Sequence, residues 1–165
     1  MERVFVFTVW ESGEATDYAT VLPPEVFSKA GAAGEAIVGA LPRSEGTGDG
    51  YVSPEGFVPN EVFTRFLHSI VAEHAPGLPG LQAEAERIGN GWIDIIDRRT
   101  PTPEGPVPPE DIIGGFQVTG GRAVPGSYVA GESHRLLTER GFFHLDEGLH
   151  KKLVDELVAR AHPAP

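Results

Sequence analysis

Glycine and proline punctuate this chain so often that no regular element can run far. Its 165 residues include 21 Gly and 15 Pro, and five of the prolines fall within residues 101–109. A proline removes a ladder donor and ends a helix, and an interior helical glycine costs about 1 kcal/mol relative to alanine. The fold must therefore consist of short strands and helices joined by long turns. Leu, Ile, Val and Phe together number 44. That share is enough to fill one core, and with the chain length it leads us to expect a single domain over residues 1–165.

The order of hydrophobic segments suggests the fold class. Val4–Trp10 is a β-branched and aromatic run, apolar on both faces, which fits an interior strand covered on both sides or by helices and a partner. A turn at Glu11–Glu14 and a return over Tyr18–Leu22 complete a hairpin. Glu25–Leu41 has a helical pattern interrupted by Gly31, Gly34 and Gly39, and residues 42–57 form a Gly/Ser-rich loop expected to be mobile. Asn60 is placed to cap a helix whose apolar stripe runs Val62, Phe63, Phe66, Leu67, Ile70, Val71 and His74. Ala75-Pro76-Gly77 stops it, and a shorter helix spans Pro79 to Gly89. Strands follow at Trp92–Asp97, Asp111–Val118 and Arg122–Val129, the last two flanking a hairpin turn at Thr119-Gly120-Gly121. Ser133 reads as the cap of a short helix ending before Gly141, and Asp146 as the cap of a final helix with stripe Leu149, Leu153, Val154, Leu157 and Val158. The expected class is α+β, with a mostly antiparallel sheet of about five strands and several helices. Residues 100–110 are expected to be an extended Pro-rich connector and 162–165 a frayed tail. Prolines 103, 106 and 109 repeat P-x-x-P, which a free segment could present to an aromatic groove.

Charge and composition narrow the function classes. The formal charge is −11, and each third of the chain is negative, so no cationic footprint for nucleic acid or an anionic membrane exists. With no cysteine, disulfides, thiolate nucleophiles and cysteine-ligated metals are excluded. The opening Met1-Glu2-Arg3 runs straight into a strand pattern without the features of a leader, and cytoplasmic residence is the expectation.

Motifs that carry chemistry are sparse. His144, Glu147 and His150 are metal-ligand types, but Asp146 as N-cap puts His144 outside the helix, and six helical residues span about 9 Å. They are weak candidates, and no cofactor is expected. His68 and His74 are also six apart. No nucleophile elbow or phosphate loop occurs, and the pairs Gly114-Gly115 and Gly120-Gly121 lack its spacing. The first glycine pair reads instead as a bulge or a close backbone approach. Asp94, in the strand Trp92-Ile-Asp94-Ile-Ile-Asp97, is either an acid/base or anchoring group, or an edge charge with Arg98 and Arg99 as counter-ions.

The leading functional expectation is a non-catalytic domain acting through a protein partner or a second copy of itself. The alternative is a small-molecule-binding domain or enzyme whose pocket lies between the sheet and the 42–57 loop. Its lining candidates are Tyr51, Trp92, Asp94, Arg98 and His134. A weaker alternative is an acidic inhibitor of a basic nuclease or toxin.

Overall fold

Paired strands open the chain, because the two-residue turn Ser12-Gly13 takes positive φ at both positions (51° and 80°), the geometry that matches strand twist. The computed structural model describes residues 3–25, 34–42, 56–100 and 107–161. It is an α+β fold with antiparallel sheets. Two compact units can be recognised, residues 1–67 with 153–165, and residues 68–152.

In the first unit, β1 (Phe5–Glu11) pairs with β2 (Glu14–Thr20), β2 with β3 (Ile37–Pro42), and β3 with β4 (Val58–Pro59). Helix α1 (Glu61–His74) begins where Asn60 Oδ1 accepts the Val62 N–H at 3.2 Å, and Asn60 Nδ2 donates to the Ile37 carbonyl at 2.8 Å. The cap thus also ties the helix start to β3. Phe63, Phe66 and Leu67 are buried, as the stripe requires, whereas Val62 at its margin is exposed. Each fully buried side chain of this kind contributes about 1.5–3 kcal/mol. Helix α3 (Glu147–Ala161) adds Leu153 and Leu157 to the buried set, and Arg160 near its end lies 4.6 Å from the Phe66 ring centroid.

Two expectations fail in this unit. The first strand is not interior: β1 is the outer strand of its sheet, with Val6, Thr8 and Trp10 exposed and Phe5, Phe7 and Val9 half-buried. Its second apolar face is open. The helix expected to reach Leu41 is replaced over 37–42 by β3, flanked by strands on both sides, with Val38 and Leu41 buried. Gly39, a poor helix residue, is needed here because a Cβ would lie 2.4 Å from the Phe57 ring and 2.5 Å from the Val58 carbonyl oxygen. Residues 26–33 of that segment lie outside the described residues.

In the second unit, α2 (Pro79–Ile88) ends at Gly89, whose φ of 75° suits only glycine. β5 (Gly91–Ile96) then pairs with β6 (Ile112–Thr119), which also pairs with β7 (Arg122–Ala123) and β8 (Val129–Ala130). The expected hairpin at Gly120-Gly121 is present, both residues at positive φ. The ladder slips between Ile95 and Ile96, so the paired residues Gly114-Gly115 follow a bulge whose extra residue is Ile113 rather than forming it. The pair is a site of close approach. A Cβ on Gly114 would lie 2.5 Å from the Tyr128 hydroxyl, and one on Gly115 2.5 Å from the Trp92 indole.

The helix expected from Ser133 does not form. β9 (Leu137–Thr138) and β10 (Gly141–Phe142) make a small two-stranded sheet there instead. The physical reason is where the carbonyls go: those of Arg135 and Gly141 accept from the Arg99 guanidinium, and that of Leu136 from the Phe143 N–H. α3 starts as expected, with the Gly148 N–H donating to Asp146 Oδ1 at 2.8 Å. The 43–55 part of the expected mobile loop, residues 101–106 of the Pro-rich connector and the tail at 162–165 lie outside the described residues.

The crowding at Gly39 makes a direct test. Gly39→Ala should lower stability by about 1–3 kcal/mol through displacement of Phe57 and the β4 backbone. Gly13→Ala, with open space around it but a positive φ, should cost less; equal melting temperatures for Gly39→Ala and wild type would refute the packing account.

Candidate functional site

The strand β5 separates two environments. Period-two alternation sends Ile93, Ile95 and Asp97 inward and Trp92 and Asp94 outward. On the inward side lies a buried ionic network. Asp97 and Asp111 are fully buried, and the Arg99 side chain is only 3% exposed. Arg99 Nη2 lies 3.2 Å from Asp97 Oδ2, and Nε lies 3.1 Å from Asp111 Oδ1, a charge contact without hydrogen-bond alignment. The guanidinium also donates to the carbonyls of Glu110, Arg135 and Gly141 at 2.7–3.1 Å. Asp97 Oδ1 accepts the backbone N–H groups of Arg99 and His144. Asp111 Oδ2 accepts from Thr100 and from Arg140 Nη2, the latter at 2.7 Å.

Two histidines adjoin this network. His134 Nε2 is 3.0 Å from Asp97 Oδ2 and almost fully buried, so His134 is held by the network. His68 Nδ1 is 2.6 Å from the Tyr128 hydroxyl. Burial, with His134 nearby, lowers the His68 pKa below its usual 6.5, and burial raises that of Tyr128 above its usual 10.0. The ring is therefore neutral and the phenol protonated at neutral pH. Burial also pushes the Asp111 carboxyl up, but the bonds from Thr100 and Arg140 and the Arg99 charge outweigh it and hold it below 3.8.

A groove of about 780 Å³ runs along β5 and takes side chains from both faces of the strand. Leu78, Leu81, Ile88, Ile93, Ile95 and Leu149 supply its apolar lining. Trp92, Asp94, Arg98, Thr100 and Asp146 stand around it. The Trp92 indole N–H donates to Asp94 Oδ1 at 2.8 Å, which holds the carboxylate beside the ring. Both cations in the lining are matched: Arg87 with Glu84 on α2, and Arg98 with Asp146 at 3.3 Å. Asp94 alone of the lining carboxylates has no cation partner among the described residues.

Among the described residues β5 pairs with no strand other than β6. Ile113 and Gln117 of β6 direct their carbonyls to Gly131 and Val124, so the alternate residues Gly114, Phe116 and Val118 serve β5. Their partners are Ile95, Ile93 and Gly91. The N–H and C=O groups of Trp92 and Asp94 consequently point away from β6, at the edge of the sheet.

The structure thus brings together three of the five lining candidates, Trp92, Asp94 and Arg98. His134 belongs to the buried network, and Tyr51 lies outside the described residues. Asp94 is an edge charge, but Arg98 and Arg99 are not its counter-ions: the first pairs with Asp146 and the second with Asp97 and Asp111. Among the described residues no group of three His, Cys, Asp or Glu side chains is placed to hold a metal ion, His144, Glu147 and His150 included. Sequence reasoning missed the Arg99 network. Its one signal was Asp97 on the apolar face of a strand, since a buried carboxylate demands a cation.

Arg99→Leu leaves two buried carboxylates short of a cation and should cost about 3–5 kcal/mol. A stability loss under about 1 kcal/mol in denaturant titration would contradict the network's role. Acid should act in two stages. As pH falls below 6.5, the unfolded chain binds a proton that folded His68 refuses, so stability declines until the lowered folded pKa is passed. The Asp111 contribution is lost only as pH falls below 3.8. His68→Gln should flatten the first stage and leave the second. Comparison with protein-family models, curated proteins and solved structures finds no match to this chain.

Proposed function

We propose that this chain is a protein-interaction domain that takes an extended, basic segment of a partner into the groove along β5. The observation that supports it most is the open strand edge beside an apolar groove with one uncompensated carboxylate. An added strand would bond to the outward N–H and C=O groups of Trp92 and Asp94. Alternate side chains of the segment would fall on the apolar lining, and a Lys or Arg would meet Asp94 and the Trp92 ring. The formal charge of −11 favours approach of a cationic partner. No group in the groove is arranged as a nucleophile with its base, which is why binding is preferred to catalysis.

A second reading, a small organic cation in the same groove, is favoured by the cavity volume, which falls within the roughly 300–1,000 Å³ range of ligand sites.

An acetylated, amidated ten-residue peptide alternating Val and Lys tests both. Its binding should move the backbone amide signals of Trp92 and Asp94 and the Trp92 indole signal. The matching Val/Glu peptide should not do so. Asp94→Asn should weaken the Val/Lys peptide about three- to fivefold, the size of a partly exposed ion pair, and added salt should weaken it further. Silence at Trp92 and Asp94, or equal binding of the Glu peptide, sinks the reading. Benzylammonium reproducing the full shifts at lower concentration than the peptide would transfer the site to the small cation.

A further inference from the structure

We infer that the cation which the β5 groove distinguishes is arginine rather than lysine, its guanidinium laid on the open side of the Trp92 indole beside the Asp94 carboxylate. This rests on the reading of β5 as a docking edge and adds the residue type that the edge discriminates. Its basis is the way Trp92 is held. Asp94 stands opposite Gly115 in the β5–β6 ladder, and Gly115 stands opposite Val129 of β8. The three positions therefore lie side by side on one face of the sheet. Gly115 has no side chain, and the Trp92 ring takes its place: a Cβ there would lie 2.5 Å from both Nε1 and Cζ2 of the indole. The ring thus leans from position 92 toward the pair Asp94 and Gly115, and its N–H reaches Asp94 Oδ1 at 2.8 Å. One side of the indole rests on β6, yet Trp92 is 47% exposed, so the other side is turned to solvent.

This arrangement separates the two basic side chains. An added strand alternates its side chains between the two faces of the sheet, and one that reaches in on the face of Trp92 and Asp94 meets the carboxylate first and the ring beyond it, over β6. A guanidinium is planar and weakly hydrated, so it can spread over the indole while its forked N–H groups reach the carboxylate. An ammonium is a compact, strongly hydrated point charge. At a half-exposed site it keeps its water, and a bond to Asp94 leaves the ring uncovered. Asp94 retains the acceptors that a fork requires, since Oδ1 takes one N–H from Trp92 and Oδ2 has no partner among the described residues. The other carboxylates of the lining do not compete. Arg87 forks onto Glu84, and Arg98 pairs with Asp146, so an incoming guanidinium meets one unmatched carboxylate. Val129, 57% exposed on the far side of Gly115, extends the apolar surface around the ring.

Two acetylated, amidated ten-residue peptides, one alternating Val with Arg and the other Val with Lys, carry equal charge and differ only in the cationic group. The full chain should bind the Arg peptide about three- to fivefold more tightly, the size of a cation–π contact at an exposed site. At saturation the Arg peptide should also move the indole N–H signal of Trp92 further than the Lys peptide does, while that of Trp10, the only other tryptophan, stays in place. Trp92→Leu should bring the two peptides to equal affinity, chiefly by weakening the Arg peptide. Trp92→Phe, which keeps a ring, should retain part of the Arg preference. Equal binding of the two peptides by the unaltered chain overturns the inference and leaves the docking reading standing. So does an Arg preference of undiminished size in Trp92→Leu, because the ring would then not be its source. Silence of the Trp92 and Asp94 signals with both peptides ends the docking reading and the inference together.

Discussion

The second unit depends on one cation, the guanidinium of Arg99. Charges of both signs are expensive to bury, and each is tolerated only where donors and acceptors are nearly all matched. Arg99 meets that condition by facing Asp97 and Asp111 and donating to three backbone carbonyls. Those carbonyls belong to Glu110, Arg135 and Gly141, in stretches with little regular structure of their own. Arg140 brings a second cation to Asp111, so the two buried carboxylates face two guanidinium groups. A core of apolar side chains could not do this work, because the segments it joins are short, rich in turns and full of backbone groups in need of partners.

The groove follows from the same strand. Asp97 and Arg99 turn inward, and the residue between them, Arg98, must turn outward, where it reaches Asp146 at the start of α3. Two carboxylates flank the groove's cations as bonded partners, and Asp94 is held by an indole rather than by a cation. Among the described residues that carboxylate has no cation partner, and it stands beside apolar surface. Gly115 makes room for the indole; any side chain would drive Trp92 off Asp94's side of the strand.

Open edges recur in both units, and they differ in chemistry. β5 presents a carboxylate at mid-strand, the kind of charge that discourages promiscuous edge-to-edge pairing. β1 presents Val6 and Trp10 and keeps its nearest carboxylate, Glu11, at the strand end. The two edges thus differ in what they present, a carboxylate at mid-strand in β5 and exposed apolar side chains in β1.

What could be read from the sequence is what neighbouring residues decide among themselves. Asn60 and Asp146 cap helices because an amide or carboxylate reaches the free N–H groups two residues on. Phe63, Phe66 and Leu67 are buried because they share one side of a helix, and Gly120-Gly121 turns the chain because both positions need positive φ. The α+β class followed from these local patterns. The tertiary structure decided everything that depends on partners distant in sequence. Residues 37–42 became a strand because β2 and β4 flank them, and the segment after Ser133 gave its carbonyls to Arg99 rather than to a helix. Whether β1's apolar faces were covered, and which of three neighbouring charges, Asp97, Arg98 and Arg99, entered the core, depended on alternation fixed only once pairing was set. Local rules act over a few residues, whereas burial and charge pairing are settled by what the fold brings alongside.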